Sequence, residues 1–132
     1  MLNFQLTQVE VSQHIRDGFE DTGLTYQQYN VLKIVAEAKK GKDVTINYIK
    51  DRLVEKDADI SRLIDRLKES GYVNKTPKPT DKRHTIIELT EFGKSELNNL
   101  KERVHFLDEV FFNLNSTEVK QLNMLLNKIR KA

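Results

Sequence analysis

Cationic side chains occur in two neighbouring stretches of the sequence. Arg62 lies in the first turn of the segment DISRLIDRLKESG, and Lys82 and Arg83 follow in the polar segment PKPTDKRH. On a helix, the fork of an arginine side chain matches the O6 and N7 acceptors of guanine in the major groove of DNA. Cations on a projecting loop suit the narrow minor groove, where the negative potential is greatest. These residue types favour DNA binding, with Arg83 as the first choice for the minor groove.

The segment DISRLIDRLKESG has the periodicity of an amphipathic helix. Its apolar residues recur at intervals of three and four, which places them on one face. They are Ile60, Leu63, Ile64 and Leu67. Arg62 falls on another face, and Gly71 is predicted to end the helix as a C′ glycine. A solvated surface position is the alternative interpretation of Arg62.

Two carboxylates stand at the start of this helix. Asp57 and Asp59 suit the positive end of the helix macrodipole but repel nearby phosphates. Asp59 is therefore predicted either to accept a hydrogen bond from a cytosine N4 or only to stabilise the N-terminus of the helix. The sequence leaves both readings open.

Two short strands are predicted around PKPTDKRH, over Tyr72–Thr76 and Thr85–Thr90, because both are rich in β-branched and aromatic residues. From Asn74 to His84 there are four Lys or Arg residues against one acid, Asp81, a local excess of three positive charges. The pattern predicts a hairpin with a long basic tip. A charge run that is only a solvated loop is the alternative.

A further helix is predicted before this segment, from about Ile46 to Leu53, and the short stretch VEKD joins it to the next helix. Two short helices joined in this way form a helix-turn-helix. Near its start stand Thr45, Asn47 and Tyr48, whose side chains can donate hydrogen bonds to phosphates. Such contacts position a protein on DNA and do not specify the sequence.

The order helix, strand, basic loop, strand is the layout of a winged helix-turn-helix, and three signatures resemble the multiple-antibiotic-resistance regulator (MarR) family. They are Ser61–Leu67 leading to Gly71, the wing motif Asp81–Arg83, and the motif LTEFG at Leu89–Gly93. Their order and spacing match, and the resemblance spans essentially the whole chain. It implies a dimeric, DNA-binding transcription regulator of a family that often responds to ligands.

The resemblance also implies roles for single residues. Arg62 takes the position of the base-reading arginine. Asp81 takes the position of an acid that hydrogen-bonds and orients the arginine two residues on, here Arg83. The neighbouring positions that would face the groove are Ala58, Asp59 and Ser61.

A single, mainly α domain with a small β-hairpin wing (α+β) is predicted for the 132 residues. Residues 24–93 are predicted to form the winged helix-turn-helix lobe, and residues 1–20 and 94–132 the dimerisation helices. After the wing, a heptad pattern predicts one long helix, and a second apolar stripe follows. The predicted dimerisation residues are Leu97, Leu100, Leu107 and Phe111 in the first stripe, and Val119, Leu122, Leu126 and Ile129 in the second.

The two lobes of such a homodimer are expected to read half-sites of a near-palindromic operator, as a repressor controlled by a ligand. The effector implied by the resemblance is a small aromatic or phenolic compound in the crevice between the dimerising helices and the lobe. Its expected walls are Ile15, Phe19, Tyr29 and Val104. Ordinary core packing is the alternative for these residues.

The composition excludes several other classes of protein and of binding site. The formal charge is only +2, so the basic character is local, and the absence of cysteine excludes disulfides and thiolate metal sites. No stretch approaches the roughly 20 apolar residues that span a bilayer, and we expect a cytoplasmic protein. Its three histidines form no close pair, and no catalytic constellation stands out, so we expect no metal, cofactor or enzyme activity. A winged-helix adaptor that binds proteins is the alternative function, against which the wing cations argue.

Overall fold

The computed structural model describes residues 1–55 and 59–131. The predicted site residue Ala58 and its neighbour Asp57 lie outside these described ranges. The chain divides into two compact units. We name residues 19–103 the lobe, and residues 1–18 together with 104–132 the terminal unit.

The lobe is mostly helical with a two-stranded antiparallel hairpin, in the order that the sequence predicts. The chain begins with α1 (Leu2–Phe19). The lobe then contains α2 (Tyr26–Glu37), α3 (Ile46–Arg52), α4 (Ile60–Glu69), β1 (Val73–Lys78), β2 (Asp81–Leu89) and α5 (Glu91–Arg103). The terminal unit continues with α6 (Phe106–Glu109) and α7 (Ser116–Arg130). This is a winged helix-turn-helix, with α3 and α4 as its helix pair and β1 and β2 as its wing.

Side-chain caps explain where several helices begin. Thr25 and Gln28 form a capping box at the start of α2. Asn115 and Glu118 form the same arrangement at α7, and Thr45 caps α3 through its side chain. Each cap satisfies backbone N–H groups that have no partner inside the helix, and contributes about 1 kcal/mol.

The core of the lobe is built on the predicted apolar face of α4. Ile60, Ile64 and Leu67 are buried, whereas Leu63 is only half-buried. Gly71 has a φ of 85°, the left-handed conformation that confirms the predicted C′ glycine. The buried apolar residues that other parts of the lobe contribute include Val31, Leu32, Ile49, Val73, Ile87, Leu97 and Leu100.

The wing differs from the predicted hairpin, because its strands are longer and their connection is shorter. β1 reaches Lys78 and β2 begins at Asp81, so the prediction of a long basic tip is wrong. Lys82 and Arg83 lie in β2. Lys75 and Lys78 pair with residues of β2, whereas Lys82 and Arg83 lie in the irregular part of β2 between the paired residues Asp81 and Thr85.

The position of Pro77 explains why proline does not end β1. Ile87 N–H donates a hydrogen bond to Val44 O (2.8 Å), on the edge of β2 that faces away from β1. Thr85 is two residues away along β2, so its backbone N–H and C=O groups also face away from β1. The partner of Thr85 in β1 is Pro77. Antiparallel strands exchange no hydrogen bonds at such a pair, so the N–H that proline lacks is not needed.

Gly93 marks a close approach between α5 and the backbone before β1. A Cβ atom on Gly93 would lie 2.1 Å from Tyr72 O. Thr90 N–H donates to Tyr72 O (3.0 Å), and Gly93 N–H donates to Thr90 Oγ1 (2.9 Å). Thr90 Oγ1 in turn donates to Gly71 O (2.5 Å). The LTEFG motif thus has a structural reason: its threonine caps α5, and its glycine fits where a side chain cannot.

α5 is shorter than predicted. It ends at Arg103, and a turn at residues 104–105 separates it from the four-residue α6, so the prediction of one long helix through Phe111 is wrong. Leu97 and Leu100 are 2% and 4% exposed, on a helix that packs against α2 and β2. Their assignment to a dimer interface is corrected, because they are already buried inside the lobe. A heptad pattern shows that one face is buried but not what covers it.

The terminal unit leaves many apolar side chains exposed. No residue of α7, which the structure describes in full, is buried. Phe111 and Ile129 are exposed, and Leu107, Val119, Leu122 and Leu126 are half-buried. Large apolar side chains are also exposed at Leu2, Phe4, Leu6 and Val9 of α1 and at Phe112, Met124 and Leu125.

Contacts inside the terminal unit centre on Phe106. His14 Nε2 lies 2.6 Å from Phe106 O, and the two rings meet edge to face. Gly18 makes room for the Phe106 ring, since a Cβ atom there would lie 2.1 Å from it. Across the described ranges, no helix has the length and apolar character needed to cross a membrane.

Candidate nucleic-acid interface

Arg62 is exposed in the first turn of α4, the second helix of the helix-turn-helix. Its backbone N–H donates to Asp59 Oδ1 (3.1 Å), which makes Asp59 the N-cap of the helix. Asp59 therefore stabilises the N-terminus of α4, which is one of its two predicted roles. Ser61 is exposed beside Arg62. The first turn of α4 thus presents a hydroxyl and a guanidinium to solvent at the helix end that enters a DNA groove in this class of motif.

Arg83 is anchored by Asp81 on the wing. Its Nε donates to Asp81 Oδ1 (3.1 Å), its NH2 group donates to Asp81 Oδ2 (3.2 Å), and its backbone N–H also donates to Oδ1 (3.1 Å). These are the hydrogen bonds that the resemblance implies. The side chain of Arg83 is nevertheless 89% exposed. The hydrogen bonds from the side chain and backbone of Arg83 lower the pKa of the Asp81 carboxyl from its ordinary value, so the anchor is ionised at neutral pH.

Two of the four wing cations are paired with carboxylates that lie outside the wing. Lys75 Nζ lies 2.7 Å from Asp65 Oδ1, and Lys78 Nζ lies 2.9 Å from Asp43 Oδ2. The local excess of positive charge in the sequence is therefore smaller in the folded lobe. Lys82 is exposed and takes part in none of the ion pairs found in the described ranges.

The residues predicted near the start of α3 differ in what they can offer. Thr45 Oγ1 accepts a hydrogen bond from Tyr48 N–H (3.2 Å), which leaves its own hydroxyl hydrogen available to donate. Asn47 is exposed. Tyr48 is half-buried. The guanidinium of Arg52 lies over its ring, with Cζ 3.5 Å from the ring centroid. Sequence reasoning missed Arg52, although its four-residue spacing from Tyr48 was a visible signal.

The predicted walls of an effector site fall in both units. In the lobe, Phe19 and Tyr29 are 3% and 4% exposed, with ring centroids 5.4 Å apart, so they pack as core residues. In the terminal unit, Ile15 and Val104 are half-buried. The described residues contain no group of three His, Asp or Glu side chains that could hold a metal ion.

Comparisons with known proteins agree with this architecture. Residues 24–93 match the winged helix DNA-binding domain family. The chain is similar to the HTH-type transcriptional regulator SarZ of Staphylococcus epidermidis, with 27% identity over 92% of this chain and 78% of SarZ.

Two solved structures are similar over nearly the whole chain. A mutant of Escherichia coli MarR complexed with operator DNA has a TM-score of 0.82 and 25% identity, covering 96% of this chain and 89% of that one. CouR of Rhodococcus jostii, bound to p-coumaroyl-CoA, has a TM-score of 0.72 and 28% identity, covering 97% and 90%.

The wing, the exposed first turn of α4 and the matched residues define a winged helix DNA-binding protein. Within that class, the chain belongs to the MarR family of transcription regulators.

Proposed function

We propose that this chain binds a near-palindromic operator as a homodimer and represses transcription there. The observation that carries the proposal is the exposed guanidinium of Arg83, anchored by Asp81 on the wing. The E. coli MarR structure complexed with operator DNA supports it. A protein dimer seated across a promoter excludes other proteins from the same DNA, which is the physical basis of repression.

Arg62 and Arg83 have different tasks in this proposal. The fork of Arg62 donates two hydrogen bonds to guanine O6 and N7 in the major groove, which specifies a base pair. Arg83 enters the minor groove, where it responds to groove width and negative potential. Its anchoring by Asp81 reduces the side-chain freedom that DNA binding would otherwise remove.

Dimerisation is proposed to use the terminal unit. Phe111 and Ile129 are exposed, as are Leu2 and Phe4 of α1, and apolar surface of this extent suits contact with a second copy. The two-fold symmetry of such a dimer matches an inverted repeat. Its half-site centres are expected about one helical turn apart, or a multiple of that distance.

Selection of bound duplexes from a random DNA pool tests the proposal. We expect the wild-type chain to enrich an inverted repeat, and sedimentation to show a dimer at the same protein concentration. Deletion of residues 115–132 should abolish the dimer. Recovery of no preferred sequence would contradict the operator assignment. An intact dimer in the truncated chain would contradict the assignment of the dimer interface.

We propose further that a small aromatic ligand weakens operator binding. CouR bound to p-coumaroyl-CoA supports this ligand class. Thermodynamic linkage requires that DNA lowers the affinity for the ligand by the same factor by which the ligand lowers the affinity for DNA. Salicylate-like and cinnamate-like compounds can be titrated while thermal stability and operator affinity are followed. A compound that raises the melting temperature without changing the DNA affinity would show a binding site without regulation.

A further inference from the structure

Tyr48 on α3 holds two cations against its ring. Arg52 Cζ lies 3.5 Å from the ring centroid, and Lys42 Nζ lies 5.9 Å from it. Arg52 also donates a hydrogen bond from its NH1 group to Tyr48 O (3.2 Å). Tyr48 and Arg52 are four residues apart, so one side of a single helix fixes their contact. We name Lys42, Tyr48 and Arg52 the Tyr48 stack.

The positive charge of this stack is not neutralised by an ion pair within the described ranges. Neither Lys42 nor Arg52 takes part in any of the ion pairs found there, although both are exposed. Lys75 and Lys78 of the wing differ in this respect, because each pairs with a carboxylate of the lobe. The stack therefore keeps two positive charges that can act on an external anion.

The place of α3 in the motif suggests which anion this is. In a helix-turn-helix, the first helix crosses the phosphate backbone while the second enters the major groove. Here α3 is the first helix, and Arg52 lies on its exposed surface. A guanidinium stacked on an aromatic ring keeps its N–H groups at the edge, where they match phosphate oxygens, and it loses little freedom on binding.

We propose that the Tyr48 stack is a phosphate-binding element, in which the tyrosine ring positions Arg52 and Lys42 against the DNA backbone. The inference rests on the proposed DNA-binding function and adds residues that position the protein without reading sequence. It also changes the task of Tyr48. The ring supports the cations, whereas the hydroxyl group is not required.

The salt dependence of DNA binding tests this element, because each neutralised phosphate contributes about 0.9 to the slope of log K against log salt. Because the proposed homodimer carries two copies of Arg52, Arg52→Gln should lower the magnitude of that slope by about 1.8, or about 0.9 for each subunit. Lys42→Gln should lower it as well. Each variant should weaken binding to the selected site and to a random duplex by the same factor, so that their affinity ratio stays unchanged.

Substitutions of the tyrosine separate the ring from its hydroxyl group. Tyr48→Phe keeps the stack and should bind as the wild type does. Tyr48→Leu removes the ring but leaves both cations, so the salt slope should persist while the affinity at a fixed salt concentration falls. Thermal melting of each variant verifies its fold.

Lys33→Gln is the matched control, because it removes the same charge from an exposed position on α2. Its salt slope should equal that of the wild type. An unchanged slope in Arg52→Gln, or an equal decrease in Lys33→Gln, would overturn the phosphate-binding role of the stack while leaving DNA binding itself established. A wild-type chain that binds neither duplex would instead overturn the proposed function.

Discussion

Gly93→Ala should destabilise the lobe, although alanine is the better helix former. The added Cβ would lie 2.1 Å from Tyr72 O and 3.0 Å from Tyr72 C, both of which are backbone atoms. A flexible side chain cannot relieve this contact. The start of α5 must therefore move away from the backbone that precedes β1.

The expected loss follows from the hydrogen bonds at this corner. Gly93 N–H to Thr90 Oγ1, Thr90 N–H to Tyr72 O and Thr90 Oγ1 to Gly71 O all depend on the close approach. At about 1 kcal/mol each, their weakening costs about 3 kcal/mol. The higher helix propensity of alanine, compared with glycine, offsets about 1 kcal/mol of this loss. A net loss of about 2 kcal/mol remains, which corresponds to a decrease in Tm of about 6 to 10 °C for a chain of this size.

Urea and thermal unfolding at a fixed protein concentration measure this loss, since the proposed dimerisation would make the apparent stability depend on concentration. Ser95→Ala provides the control, because it changes an exposed residue of the same helix to alanine without a backbone clash. It should be neutral or slightly stabilising. If Gly93→Ala were as stable as Ser95→Ala, the close contact at Tyr72 could not be the reason for glycine in this motif.

Four further predictions address the wing and the core. Asp81→Asn should weaken binding to specific and random duplexes although it removes a negative charge, because Arg83 loses its anchor. The hydrogen bonds from Arg83 hold the pKa of Asp81 below its ordinary value of 3.8. The ion pair should therefore be intact at pH 3.8 and above, and be lost only as the pH falls through the lowered pKa. A carboxyl NMR titration measures this pKa. Ile64→Ala should cost about 2 to 5 kcal/mol in urea unfolding, since Ile64 is fully buried. A double-mutant cycle for Lys75 and Asp65 should give a coupling below about 1 kcal/mol, because the Asp65 side chain is 55% exposed.

Signals that act over a few residues predicted the local structure well. The apolar face of α4 and the C′ role of Gly71 each depend on neighbours within one or two turns. The motif Asp81–Arg83 belongs to the same group, since its hydrogen bonds join residues two apart. These features could be read from the sequence because the interacting groups are adjacent in the chain.

Features that depend on distant residues could not be predicted. The pairing of Lys78 with Asp43 changes the charge of the wing, and the orientation of Pro77 decides how far β1 extends. Both follow from which segments meet in the folded lobe. The burial of Leu97 and Leu100 inside the lobe was also missed, because their spacing is the same for a helix buried in its own lobe and for one buried in a dimer.

The central claim is that Arg62 reads a base while the rest of the interface holds the DNA. Affinities of the wild type and Arg62→Ala should be compared on the selected operator and on an operator with one guanine changed in each half-site. The wild type should discriminate between the two by about 1 to 3 kcal/mol per changed base pair, and Arg62→Ala should lose that discrimination while still binding both duplexes. Equal discrimination in both proteins would contradict the claim.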